Sequence, residues 1–198
     1  MLQIIADWVV ANWVELVGAC TGITYLILEI KQNLWLWPVG LLNAIFYAVI
    51  FFTGGLYAIT TLQIYYVVMM IYGWCHWVKG GQGEPNDELP VSKVPVKYWC
   101  YIIVAAAIIC CAYYVVLLRY TDSQAPVGDA FVTAWSIVGT WMLAKKYIEQ
   151  WYVWIGVNMF SVWLYASQGL VVTSVLYAFY AIIAIIGYFN WKKTLCRE

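Results

Sequence analysis

WYVWIGVNMFSVWLY, residues 151–165, is apolar enough to cross a bilayer, yet it is composed wrongly for a helix that meets only lipid. It carries three tryptophans, two tyrosines, an asparagine and a serine. An amide in a bilayer core has no water to bond and must find partners inside a helix bundle. The spacing shows how that is arranged. Trp151, Trp154, Asn158, Ser161, Tyr165 and Gln168 recur at intervals of 3, 4, 3, 4 and 3, which is one face of an α-helix. The segment is therefore a membrane helix with a polar, aromatic side turned inward.

The rest of the chain fits that start. Of 198 residues, 65% are hydrophobic and 10% are charged, against about 25% charged in a soluble domain. Seven runs are long and apolar enough to span: 9–30, 35–53, 56–78, 97–118, 129–145, 150–167 and 169–190. Ten-residue segments of alternating polarity, as a membrane β-barrel needs, are absent. The formal net charge is zero, so no nucleic-acid or acidic partner is expected. The opening MLQIIADWVVANWVELVGAC has no basic stretch of the signal-peptide kind. Six cysteines form no C-x-x-C pair and read as small hydrophobes packed in helices.

The breaks between spans have local causes. EIKQN (29–33) puts charge at a boundary, and Pro38 follows in a first helical turn, where its missing N–H is harmless. TGG (53–55) and SQG (167–169) are tight turns that predict antiparallel helix hairpins. GGQGEPNDELPVSKVP (80–95) is the longest polar stretch and reads as a loop between two halves. With seven spans, one side of the membrane collects nine Lys and Arg residues and the other only Arg119. The positive-inside rule then expects the N-terminus outside and the C-terminus in the cytoplasm.

Spans 2–3 and 6–7 echo one another. Gly55-Leu56 and Gly169-Leu170 lie 114 residues apart, as do Tyr66 and Tyr180, Gly73 and Gly187, and Trp77 and Trp191. Asn43 and Asn158 match one residue out of step. The expected organisation is a first three-helix unit over 1–78, a cytoplasmic loop over 79–96, a connector helix over 97–118 and a second unit with a tail over 119–198. An odd connector makes the two units parallel, as in transporters whose binding site lies between the halves near the midplane.

The other helices of the hairpins carry similar stripes: Trp37, Gly40, Asn43 and Tyr47 on span 2, and Thr60, Gln63, Tyr66, Met70 and Trp74 on span 3. A structural account is available for each, as interhelical hydrogen bonds or an interfacial aromatic belt. Trp151, Trp154 and Asn158, with Asn43, Tyr47, Gln63 and Tyr66, are the candidates for a ligand lining, and Trp37 joins them from its stripe. Aromatic faces stack on planar ligands and attract cations, while amides choose hydroxyls or ring nitrogens. No basic residue is expected in the interior to hold a phosphate, so the ligand should be small, aromatic, neutral or cationic, and unphosphorylated. Glu15, inside span 1, is read as paired with a neighbouring polar group, with a proton site as the alternative. One histidine, His76, supports neither a metal site nor a catalytic triad. There is no phosphate loop of the Walker type, so neither a cofactor nor ATP-driven chemistry is expected, and the chain does not read as an enzyme.

WPVGLLNAIFYAVIFF, GLYAITTLQIYYVVMMIYGWCHW and KKYIEQWYVWIGVNMFSVWLYASQGL resemble the PnuC family of bacterial vitamin transporters. The resemblance runs over spans 1–3 and 5–7. It rests on W-P-x-G-x-x-N, Y-G-W-x-x-W and K-Y-x-E-x-W-x-x-W-x-x-x-N taken together. It implies an all-α 3+1+3 bundle, similar in plan to SWEET-type sugar transporters, working in the bacterial inner membrane as a homotrimer. It also implies facilitated diffusion of an unphosphorylated vitamin that a cytosolic kinase then traps. The family's binding region falls here on Trp151, Trp154, Asn158, Asn43 and Gln63. LWLWPVG, GLYA and YGWCHW are more similar to the thiamine branch, so thiamine is the expected cargo. Nicotinamide riboside is the alternative and riboflavin comes after it; a receptor that binds without transporting is the reading from another class.

Overall fold

The computed structural model describes residues 13–55, 57–80, 89–121 and 123–195. The Glu15 side chain, Cys196 and residues 81–88 of the loop over 80–95 lie outside the described residues. Seven helices are described: α1 Trp13–Ile30, α2 Leu36–Thr53, α3 Tyr57–Lys79, α4 Val96–Tyr120, α5 Pro126–Ala144, α6 Gln150–Ser167 and α7 Val171–Leu195. Their bounds follow the expected spans within a few residues; α5 begins at Pro126 and α7 runs on to Leu195.

Four of these, α2, α4, α5 and α7, are long and apolar enough to cross a membrane by length and composition. α3 and α6 are as long, with 23 and 18 residues, but carry the polar stripes. In a bundle those stripes face protein rather than lipid. Outside, the bundle is coated with apolar side chains, among them Leu42, Val49, Ile103, Ile108, Val172 and Phe179, each more than half exposed.

Six helices close into a ring. α1 packs on α2, α2 on α3, α3 on α5, α5 on α6, α6 on α7, and α7 back on α1. α4 stands outside it, laid mainly against α5 and touching α3. Thus the third helix of each expected unit packs on the first helix of the other.

Positions 114 residues apart share backbone geometry. Gly55 and Gly169 turn the two hairpins with φ of +75° and +77°, a region glycine enters at no steric cost. Gln32 and Lys146 are the described non-glycine residues with positive φ, at 55° and 57°. Each ends its helix with the same closing bonds: Asn33 N–H donates to Leu28 C=O at 2.9 Å, and Tyr147 N–H to Met142 C=O at 3.0 Å. These bonds satisfy carbonyls that a helix end otherwise leaves bare.

The largest shared feature is a layer of four tryptophans at one end of the bundle. Trp37 meets Trp77 edge-to-face at 5.2 Å and 85°, and Trp151 meets Trp191 at 5.6 Å and 86°. Trp77 and Trp191 touch across the middle at 6.2 Å. Each outer ring lies on a glycine. A Cβ added to Gly73 would fall 2.1 Å from Trp37 Cη2, and one added to Gly187 would fall 2.3 Å from Trp151 Cη2. The inner rings bond across the halves: Trp77 Nε1 donates to Leu143 C=O at 3.3 Å and Trp191 Nε1 to Glu29 C=O at 3.0 Å. Lipid offers apolar groups no reason to leave it, so close packing of this kind is what holds membrane helices together. This layer is a floor on which the ring of helices stands.

The segment entering α4 is tied to the second half. Ser92 N–H donates to Lys146 C=O at 3.1 Å, Ile148 N–H to Ser92 C=O at 3.0 Å, and Val94 N–H to Glu149 Oε2 at 3.0 Å.

Candidate functional site

Above the tryptophan floor, inside the ring, lie two adjoining cavities of about 350 and 330 Å³. Gly22, Tyr25, Tyr66 and Trp154 line both. All six ring helices contribute to the lining and α4 does not. The volumes fall at the lower end of the range for small-molecule sites, about 300–1,000 Å³.

Asn43, Tyr47, Gln63, Tyr66 and Trp154 line the first cavity; Tyr66, Trp151, Trp154 and Asn158 line the second. Seven of the eight sequence candidates therefore converge. Trp37 does not line either cavity; it is fully buried in the floor against Gly73. It lies on the Asn43 stripe but six residues away, about 9 Å along the helix. Helical spacing had assigned it the right face at the wrong depth. Trp151 is intermediate: its ring is 1% exposed and seated on Gly187, while the residue also borders the second cavity.

The polar groups divide into satisfied and open. Asn43 Nδ2 donates to Thr21 Oγ1 at 2.6 Å, which fixes the amide. Tyr65 hydroxyl, outside both cavities, donates to Ile137 C=O at 2.7 Å. The indole N–H groups of Trp151 and Trp154 are buried without a hydrogen-bond partner. A buried donor left open costs about 1–3 kcal/mol, and Trp154 Nε1 on a cavity wall is a handle a bound acceptor could use.

No Lys or Arg lines either cavity. Among the described residues one basic side chain is nonetheless buried, contrary to expectation: Lys146 is 2% exposed, its Nζ lying 4.6 Å from the Trp77 ring centroid. It belongs to the floor. His76 stacks on Tyr72 at 5.7 Å and lines neither cavity.

Several lining residues were not among the sequence candidates: Glu29 and Tyr25 on α1, Ser136 and Thr140 on α5, Tyr177 and Tyr180 on α7. α1 did carry a signal. Gly22, Tyr25 and Glu29 follow the 3, 4 spacing that marks the α6 stripe. Glu29 is 3% exposed, and Gln150 Nε2 donates to its Oε1 at 3.1 Å.

The correspondence between halves breaks at the cavity. Glu29 has Leu143 as its counterpart 114 residues on, Ala44 has Asn158, and Gln63 has Tyr177. In the first half Tyr25 of α1 lies against Gly40 of α2; in the second, Gly139 of α5 lies against Trp154 of α6. The bulky ring has changed helices. A floor made of matching residues thus carries a cavity in which, the Tyr66 and Tyr180 pair and the floor residue Trp151 apart, the counterparts differ, as an asymmetric ligand requires.

Comparison with known proteins agrees with this fold. The family model described as nicotinamide mononucleotide transporter matches residues 12–193. The nicotinamide riboside transporter PnuC of Escherichia coli (strain K12) is 26% identical over 205 residues, covering 91% of this chain and 85% of that protein. PnuC of Neisseria mucosa is 27% identical over 197 residues, covering 94% and 74%. The riboflavin/roseoflavin transporter RibM of Streptomyces davaonensis is 27% identical over 187 residues, covering 90% and 84%. A crystal structure of the vitamin B3 transporter PnuC superposes with a TM-score of 0.72 at 27% identity, covering 99% of this chain and 88% of that one. By the match along nearly its whole length and by its fold, the chain belongs to the nicotinamide mononucleotide transporter family, the PnuC family.

Proposed function

We propose that the chain carries an unphosphorylated vitamin nucleoside, nicotinamide riboside first, across the bacterial inner membrane by facilitated transport. The observation that carries this is the cavity itself: Tyr66 and Trp154 from opposite halves share it, Asn43, Gln63 and Asn158 surround it, and no cation lines it. Flat rings can seat a pyridine, and amides can bond ribose hydroxyls. A nucleotide's phosphate, with a charge of about −1.5 to −2, would enter beside Glu29 with nothing to balance it. The substrate is thus the nucleoside rather than the nucleotide of the family's description.

Relatives support nicotinamide riboside and, in RibM, riboflavin. The expected thiamine has no such support. The tryptophans that suggested it are Trp35 and Trp74, both exposed, and Trp37 and Trp77, both in the floor. They do not line the cavities, so they say nothing about a ligand.

In this proposal the two halves are parallel three-helix units that rock on the floor, exposing the cavity to each side in turn. The N-terminus is outside, the C-terminus cytoplasmic, the assembly a homotrimer, and a cytosolic kinase traps the product. Calorimetric titration of the purified protein tests the ligand. Nicotinamide riboside should bind, and nicotinamide mononucleotide should bind about a hundredfold or more weaker. Equal affinity for the mononucleotide, or tighter binding of thiamine, would overturn the assignment.

A further inference from the structure

We infer that Glu29, held by Gln150, is a charge-selecting residue of the cavity: protonated when the site is empty, it gives up its proton to take a cationic aromatic ring. The inference rests on the proposed function and specifies the chemistry of the ligand.

Glu29 and Gln150 are 3% and 0% exposed, and the Glu29 side chain borders the second cavity. The carboxyl has no Lys or Arg among the cavity's lining residues. A carboxylate alone in such a place is costly, and the usual outcome is that it takes up a proton. The hydrogen bonding agrees. Gln150 Nε2 donates to Glu29 Oε1, while Gln150 Oε1 is buried with no partner. A proton on the other oxygen of Glu29 would supply the donor that Gln150 Oε1 lacks and close a ring of two hydrogen bonds between acid and amide.

The fold does not require this pair. The counterparts of Glu29 and Gln150, 114 residues away, are Leu143 and Leu36, both buried. The backbone contact survives the exchange, since Trp191 bonds Glu29 C=O as Trp77 bonds Leu143 C=O. One half therefore builds the same corner from two leucines. Buried polar pairs can commonly be replaced by apolar ones without loss of stability, so a Glu and Gln kept here point to the ligand.

When a cationic ring enters, Glu29 loses its proton to the water of the cavity and so to solvent. The carboxylate and the ring then neutralise one another, and the proton returns when the ring leaves. Binding of the cation should strengthen as pH rises, by up to about tenfold per pH unit while the empty site is protonated. The other titratable groups around this cavity are the phenols of Tyr25 on α1, Tyr66 on α3, and Tyr177 and Tyr180 on α7. Phenols ordinarily titrate near pH 10. α5 and α6 contribute Ser136 and Asn158 to the lining, and Gln150 lies behind Glu29; none of these titrates. Lys31 is exposed, and Lys192 lies over Tyr188.

The test is calorimetry in phosphate and in Tris, two buffers of different protonation heat. The probes are nicotinamide riboside and dihydronicotinamide riboside, whose ring is neutral. The wild-type protein should release a proton on binding the cation and none on binding the neutral ring. Glu29→Gln should weaken the cation about tenfold to a hundredfold, abolish proton release, and leave the neutral probe within about twofold. Because a single substitution could disturb folding, Glu29→Leu with Gln150→Leu serves as a second variant. It should melt no lower than wild type and show the same lost preference. Unchanged cation affinity in folded Glu29→Gln, or no buffer-dependent heat in the wild type, overturns the role of Glu29 and leaves the transporter reading standing. Failure of the wild type to bind either probe overturns both.

Discussion

Trp151 and Trp154 lie one helical turn apart, and truncating each should break a different property. Trp154 borders both cavities, and its ring rests against Gly139, where an added Cβ would be 3.3 Å from Trp154 Cε2. Trp154→Ala opens space into an existing cavity, so it costs little packing. It removes a stacking surface worth about 1–3 kcal/mol per planar ring, so Kd for nicotinamide riboside should rise by about 5- to 150-fold. Trp151 is different. Its ring is 1% exposed, lies on Gly187 and meets Trp191 edge-on at 5.6 Å. Trp151→Ala leaves a void in the floor, and a buried Trp-to-Ala change costs about 3–5 kcal/mol. At about 2–4 °C per kcal/mol for a chain of this size, the melting midpoint should drop by roughly 6–20 °C. Thermal melts and calorimetric titrations on the detergent-purified variants measure both effects. A Trp154→Ala protein that keeps wild-type affinity would refute the stacking wall. A Trp151→Ala protein that melts as wild type but fails to bind would refute the division into floor and wall.

Two further outcomes follow from the packing. Gly73→Ala and Gly187→Ala each drive a Cβ to within 2.1 or 2.3 Å of a fully buried indole. Each should lower stability by about 1–3 kcal/mol despite alanine's better helix propensity. Gly156→Ala, with nothing within 4 Å of its Cβ, should be neutral or stabilising by up to about 1 kcal/mol; equal melts for the three would show that the floor is looser than described. Glu149→Ala removes the acceptor for Val94 N–H and should cost about 1–2 kcal/mol. Hydrogen exchange of the 91–94 segment reads it, and unchanged protection there would mean that the Ser92 backbone bonds hold the segment alone.

Much of this protein was legible before any coordinates. Hydrophobic runs of bilayer length, broken by charge or glycine, located the helices, because an unpaired backbone cannot remain in lipid. The 114-residue recurrence marked matched positions because two hairpins that turn alike need the same glycine at the same place. The 3, 4 spacing told which side of α6 faces inward. Depth and partner were not available from periodicity. Trp37 and Asn43 share a stripe, but the packing of α3 on α2 puts Gly73 against one, and the closure of the ring leaves open space beside the other. Glu29 and Gln150 are 121 residues apart in sequence, and a helical pattern carries no information about which neighbouring helix will meet it. Lys146 is one of the nine cations that the sequence collects on one side of the membrane, and only its positive-φ turn carries it over the Trp77 ring. Local sequence thus determined the helices, their inward faces and their matched ends, since these depend on contacts a few residues long. The tertiary structure decided which inward residues became floor and which became cavity, since that depends on which side chain the opposing helix presents.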